Sequence, residues 1–155
     1  MAKSRVDKIN IINADYINLQ IKKFSKIKEN FFRINLHKSE KEKIQFMLMF
    51  YKRGFFYPPH YSNNVTESFA PIKGRFKVIF FNNRGNIKKK ILLSANKNIS
   101  YKINSKIFHM IIPITKIALA IEAIDGPYKK NSVKIPIWYV KNKKRFINMH
   151  KNESF

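Results

Sequence analysis

Cysteine is absent from this chain, so neither a disulfide framework nor a thiolate zinc site can be built from it. Glycine occurs only 4 times in 155 residues, too sparsely for a phosphate-cradling loop. No Gly-x-Ser-x-Gly elbow is present, which leaves a Ser-His-Asp triad without support. No uninterrupted apolar run approaches the roughly 20 residues of a membrane helix. The stretch MIIPITKIALAIEAI is broken by Pro113, Lys116 and Glu122. The amino-terminal segment carries charges inside any apolar core it has, so it does not read as a signal peptide. These absences make a soluble cytoplasmic protein without a membrane span the expectation.

Acidic residues are the scarce charge, with 9 Asp and Glu against 32 Lys and Arg and a net charge of +23. Such a balance attracts nucleic acid, acidic lipid or nucleotide phosphates. It also follows from base composition, because Lys, Asn and Ile, all with AT-rich codons, are abundant together and Lys far exceeds Arg. The basic residues are spread along the chain without an Arg-rich or aromatic-interleaved motif, so nucleic-acid binding is not the expected function. An apolar fraction of 45% argues for a packed core, and the length fits one domain.

Residues 1–30 read as helical, with Ile9, Ile12, Tyr16, Leu19 and Lys23 at three-to-four spacing and no Gly or Pro between them. FFRINLH reads as a strand. Ser39 followed by Glu42 forms a capping-box pattern that predicts a short helix over Lys41 to Phe50. From Gly54 the texture becomes short Ile-, Val-, Phe- and Tyr-rich runs separated by turn residues, the signature of a β-sandwich or barrel. RFKVIFF-NNRG-NIKKKILL is the clearest hairpin, with Gly85 in its turn. The division expected is an amino-terminal extension over 1–50 packing on a barrel over 51–140, followed by a frayed basic tail over 141–155.

Between Glu42 and Glu122 the chain has a single acidic residue, Glu67. His60 precedes it and His109 follows, and two imidazoles with one carboxylate are a recognised way to hold a divalent metal with open coordination positions. Five residues separate Gly54 from His60 and six separate Glu67 from Gly74, and Ser62 stands two positions after His60. These intervals resemble the first conserved motif of the cupin fold, with His109 in the place of the histidine of the second motif. Arg33-x-Asn35-Leu36-His37-x-Ser39, Gln45-x-Met47, Pro58-Pro59-His60, Glu67-Ser68-Phe69, Phe108-His109 and Glu122-x-x-x-Gly126-Pro127-Tyr128 narrow the likeness. In this order, over about residues 31–140, they resemble the WbuC family of cupin-fold metalloproteins.

That resemblance implies a mainly β double-stranded β-helix, the cupin or jelly-roll barrel, with a short N-terminal helical extension. It implies one divalent metal ion (Fe, Mn, Zn, Ni or Co) held by His60, Glu67 and His109. It also implies a role around surface polysaccharide or O-antigen sugar metabolism, with metal-assisted isomerisation or epimerisation of a sugar or sugar nucleotide as the chemistry. A sugar-like, anionic small molecule is the partner expected, and pairing of copies as a homodimer. Catalytic residues are not assigned.

The chain departs from the family pattern at Ser62, where the family has a second histidine, and at Asn104-Ser105-Lys106, where it has a Pro-x-Gly turn. Ser62 is a poor ligand and is expected to position a water. Its presence motivates the alternative of a degenerate, non-catalytic cupin that binds a small ligand. A basic anion- or nucleic-acid-binding module is the further alternative. His37 is a candidate for the barrel mouth, and Arg33 and Arg75 are candidates to meet an anionic substrate or are simply exposed basic residues. Tyr57, Tyr61, Phe69 and Phe108 read as core or cavity wall, and His150 as a tail residue without a role.

Overall fold

Two antiparallel sheets press their inner faces together around a core shared by both. The computed structural model describes residues 12–154. Its elements are α1 (Ala14–Lys26), β1 (Phe31–Asn35), β2 (Ile44–Lys52), β3 (Tyr61–Ser62), β4 (Glu67–Lys73), β5 (Arg75–Phe81), β6 (Ile87–Ser94), β7 (Tyr101–Ile103), β8 (Phe108–Pro113), β9 (Ile117–Asp125), β10 (Val133–Lys134), α2 (Ile137–Lys141) and α3 (Lys143–Glu153). One sheet has the order β1-β2-β9-β4-β7 and the other β6-β5-β8. An isolated bridge between His60 and His109 joins β8 to the small β3–β10 ribbon. The result is the double-stranded β-helix, or jelly roll, that the family resemblance implied.

The barrel interior is filled from both sheets. Met47, Met49, Tyr51 and Phe69 of the first sheet pack with Phe76, Val78 and Leu93 of the second. Phe69 and Phe76 meet edge to face at 5.1 Å between ring centroids, a favourable geometry for aromatic quadrupoles. Helices cover the outer faces. Ile17, Ile21 and Phe24 of α1 lie on Leu48, Phe50 and Leu119 of the first sheet. Tyr139 of α2 and Phe146 of α3 lie on Ile79, Phe81, Met110 and Ile112 of the second.

The helical reading of 1–30 holds for Ala14–Lys26, where Asn13 caps the helix by accepting from the Tyr16 N–H. Its buried stripe differs from the one the spacing suggested, since Leu19 is half exposed while Phe24 is buried. Ile9 lies outside the described residues.

The helix expected over Lys41 to Phe50 is instead the start of β2. Met47, Met49 and Tyr51 face the barrel while Leu48 and Phe50 lie under α1, so the strand is apolar on both faces and loses the alternation that marks a strand. The capping box caps a turn: the Lys38 N–H donates to Glu42 Oε1 at 2.6 Å and the Glu42 N–H to the Ser39 carbonyl at 3.2 Å. β1 and β2 are thus strands of the five-stranded sheet rather than an appendage on it.

The frayed tail is also corrected. Lys143–Glu153 is a helix that buries Phe146 and His150. The Glu153 carboxylate receives Lys77 and Lys90 from β5 and β6 and ties the helix down. Two buried side chains in an otherwise Lys- and Asn-rich helix are too few to read as a periodic stripe. Among the described residues, no helix is long and apolar enough to cross a membrane.

Candidate metal centre

Pro58 and Pro59 hold the chain extended ahead of His60. His60 and His109 then exchange both backbone hydrogen bonds, at 3.0 and 2.9 Å, as an antiparallel pair. Paired residues of an antiparallel ladder put their side chains on one face, and the two imidazole rings lie 4.3 Å apart. Glu67 opens β4 from the facing sheet. One ligand atom from each of His60, Glu67 and His109 lies within 4.8 Å of the others, a group that could hold a metal ion.

The two histidines use the same local device. Nδ1 of His60 meets the Pro58 carbonyl at 3.0 Å, and Nδ1 of His109 meets the Ile107 carbonyl at 3.0 Å. A carbonyl only accepts, so each Nδ1 carries the proton and each Nε2 keeps its lone pair. Backbone carbonyls orient metal-ligating histidines in this way. Nε2 of His109 is buried without a hydrogen-bond partner among the described residues, and stands 3.4 Å from Glu67 Oε1. A buried polar atom left this way is costly unless a further group meets it. Glu67 in turn accepts from the Tyr101 hydroxyl at 2.5 Å. The donor set, its tautomers and the orphaned nitrogen all fit a divalent cation.

The electrostatics follow from burial. Burial pushes the His60 imidazole down to about 4, and neighbouring His109 adds to this. Burial also raises the Glu67 carboxyl, but His109, the Tyr101 hydroxyl and His60 outweigh it and hold the group at about 2. For His109, burial is outweighed by the Glu67 carboxylate and the pKa lies above its ordinary value. Protonation of His109 therefore competes with metal binding.

Above this group lies a cavity of about 640 Å³ whose wall includes His60, Ser62, Glu67, Arg33, His37 and Glu122. A volume of this size suits a small molecule. Ser62 is in the wall as the two-residue spacing from His60 required. His37 is held by its Nδ1 on the Phe46 carbonyl at 3.1 Å. Tyr57 stands edge-on to His60 at 4.8 Å and, with Tyr128, borders the same cavity. Arg75 is not in this wall; its N–H donates to Thr115 Oγ1 at the β8–β9 turn. Phe69 is core, and Tyr61 and Phe108 pack against each other at 4.8 Å. His150, expected to do nothing, is buried, with Nε2 on the Phe55 carbonyl at 2.8 Å, and so fixes α3 to a cavity-wall residue.

Glu122 was part of the closing motif but had no role assigned to it. In β9 it lies opposite Met47 on one side and Phe69 on the other, so it faces the barrel. Burial, then the nearby Glu67 charge, raise its carboxyl to about 8 against the opposing pull of His109 and Arg33. The signal was the alternation of Ala118, Ala120 and Glu122 along β9, which puts all three on the inner face.

Residues 32–93 match a family described as a domain of unknown function (DUF6016), a segment that carries His60 and Glu67 and stops short of His109. No curated protein matches the chain. Among solved structures, the chain is similar to the capsular polysaccharide assembling protein CapF from Staphylococcus aureus, at 15% identity and a TM-score of 0.61. That match covers 71% of this chain but only 33% of CapF, so the chain spans about a third of that protein's length. KdgF from Halomonas sp. aligns at 16% identity and a TM-score of 0.52, over 66% of this chain and 83% of that one. Protein SO0799 from Shewanella oneidensis aligns at 9% identity and a TM-score of 0.61, over 93% and 94% of the two chains. The similarity to these proteins places the chain in the cupin fold.

Proposed function

We propose that this chain is a metal-binding cupin of the WbuC type, in which His60, Glu67 and His109 hold one divalent ion. We further propose that it acts on a sugar or sugar nucleotide of surface polysaccharide metabolism, as an isomerase or epimerase. The observation that carries the metal is the convergence of His60, Glu67 and His109, with the buried Nε2 of His109 left without a hydrogen-bond partner 3.4 Å from Glu67 Oε1. The sugar link is supported by the fold shared with a capsular polysaccharide assembling protein, and that step is analogy. When bound, such an ion would polarise a carbonyl or enediolate oxygen of the substrate. The chain's own part is to orient both imidazoles through the Pro58 and Ile107 carbonyls and to keep Glu67 ionised beside the Tyr101 hydroxyl. Ser62 stands in the wall of the same cavity and would position a water.

The test is the metal content of protein prepared with divalent metals present. The parent should carry a stoichiometric metal, and His60→Ala and His109→Ala should each lose it while keeping the far-ultraviolet circular dichroism of the parent. A parent without metal would sink the proposal. The second reading, a ligand-binding cupin without chemistry, is favoured by Ser62 standing where the family pattern has a histidine. Weak, readily exchanged metal and a fold that survives Glu67→Ala would decide for it.

A further inference from the structure

Among the described residues the cavity wall contains no lysine, in a chain with 32 Lys and Arg; besides His37 and His60 its basic side chain is Arg33. Arg33 sits on the inner face of β1, opposite Met49 of β2. Glu122 sits on the same face, opposite Met47, one step along the ladder and one strand further. The two share the cavity, and Arg33 acts on the Glu122 carboxyl through space. They do not approach as an ion pair, and among the described residues neither has a hydrogen-bond or ion-pair partner. β2 stands between their strands, so the two side chains are not cross-strand neighbours and the space between them is open to the cavity. Here each is left for a third group that enters between them.

We propose that Arg33 and Glu122 form the recognition half of the cavity and bind a small polyhydroxylated carboxylate, a sugar acid, with the carboxylate on Arg33 and a hydroxyl on Glu122. This rests on the sugar reading above and names its substrate class. A planar guanidinium matches a carboxylate two bonds at a time. A phosphate is the poorer fit, since one arginine is its only cationic side chain here and no helix amino terminus or glycine loop joins it. The Glu122 carboxyl in the same wall offers oxygens to a hydroxyl. The remaining cavity polar groups, Asn35 and Ser62 among them, suit further hydroxyls.

The test is calorimetric titration of the full chain with D-galacturonate, D-glucuronate and D-mannuronate, each against its neutral parent sugar and the corresponding 6-phosphate. At least one acid should bind about tenfold or more tightly than its parent sugar, because a site built for a polar group rejects the analogue lacking it. Arg33→Gln should remove that preference and Arg33→Lys should keep part of it. Glu122→Gln should weaken acid and neutral sugar alike. Acid and neutral sugars binding equally, a preference that survives in Arg33→Gln, or a 6-phosphate binding best would each overturn the proposal. Metal content measured on the same samples separates the two readings. A missing metal with the acid preference intact supports this inference alone, and a full metal complement without the preference overturns it while the metal centre stands.

Discussion

Two hollows of this molecule have walls of opposite character. One, about 930 Å³, lies between the β5–β6 turn and the β7–β8 turn and has Arg84, Lys88, Lys89, Lys102 and Lys106 in its wall. The other, inside the barrel mouth, has Arg33, His37, His60, Glu67 and Glu122, with no lysine. Among the described residues the lysines therefore stand outside this cavity, and the net charge of +23 says little about the site. A lysine on the outside keeps its hydration, whereas one inside the barrel loses it and needs a carboxylate in compensation. Whatever loaded the chain with lysine met a physical limit at the cavity wall. What the wall does contain is accordingly the more informative part of the composition.

The largest test of that contrast is to carry a lysine across it. Met49→Lys, at a buried position opposite Arg33, should lower the unfolding free energy by about 4 kcal/mol or more, as an unpaired buried cation does. Lys89→Met, at an exposed position of β6 in the wall of the outer groove, should change it by no more than about 0.5 kcal/mol. Urea denaturation measures both, and equal losses would break the distinction between the hollows.

A finer test uses two neighbours in β7. Tyr101 donates to Glu67 inside the barrel, while Lys102 borders the outer groove. Tyr101→Phe should weaken metal affinity about 10- to 100-fold, the usual cost of losing a hydrogen bond to a ligating carboxylate. Lys102→Gln should leave it unchanged. Competition with a chelator reads both, and a matching loss in the two variants would mean that the effect comes from disturbing β7.

The smallest effect concerns the one carboxylate that the basic sheet recruits. Burial pushes the Glu153 carboxyl up, but hydrogen bonds from Lys77 and Lys90 outweigh this and hold it below the ordinary carboxylate range. A carboxyl depressed on folding adds stability at pH values above its unfolded pKa, and that contribution is lost as pH falls through the folded value. Melting temperature should therefore drop on acidification more steeply in the parent than in Glu153→Gln. At neutral pH the variant should be less stable by about 1 kcal/mol. Parallel acid limbs would show that α3 is held by Phe146 and His150 alone.

The trio His60, Glu67 and His109 was legible because strands fix intervals. Five residues from Gly54 to His60 and six from Glu67 to Gly74 are turn-to-strand distances, and a carboxylate isolated in a basic stretch is conspicuous. Gly74 is one of the turn points, with φ +77° and no room for a Cβ against Thr115. Glu122 was harder to see because its function depends on which face of β9 is inner, and a small-residue run such as IALAIEAI leaves that open. β2 was misread because burial on both faces erased its period, and Ser39 with Glu42 mimics a helix start while capping a turn. α3 was misread because polar composition hides a helix whose few apolar contacts are made outside the helix itself, with α2 and the second sheet.

The paired backbones of His60 and His109 also bear on how the chain folds. Five strands, β3 to β7, lie between the two residues in sequence, so their bridge closes a long loop and belongs among the slow, non-local contacts. A cation held by both imidazoles would stabilise only conformations in which that bridge exists. Such an ion would act as a latch on the finished barrel. It would leave the rate of refolding almost unchanged while lengthening the lifetime of the folded chain, in proportion to how little of the bridge is formed at the barrier.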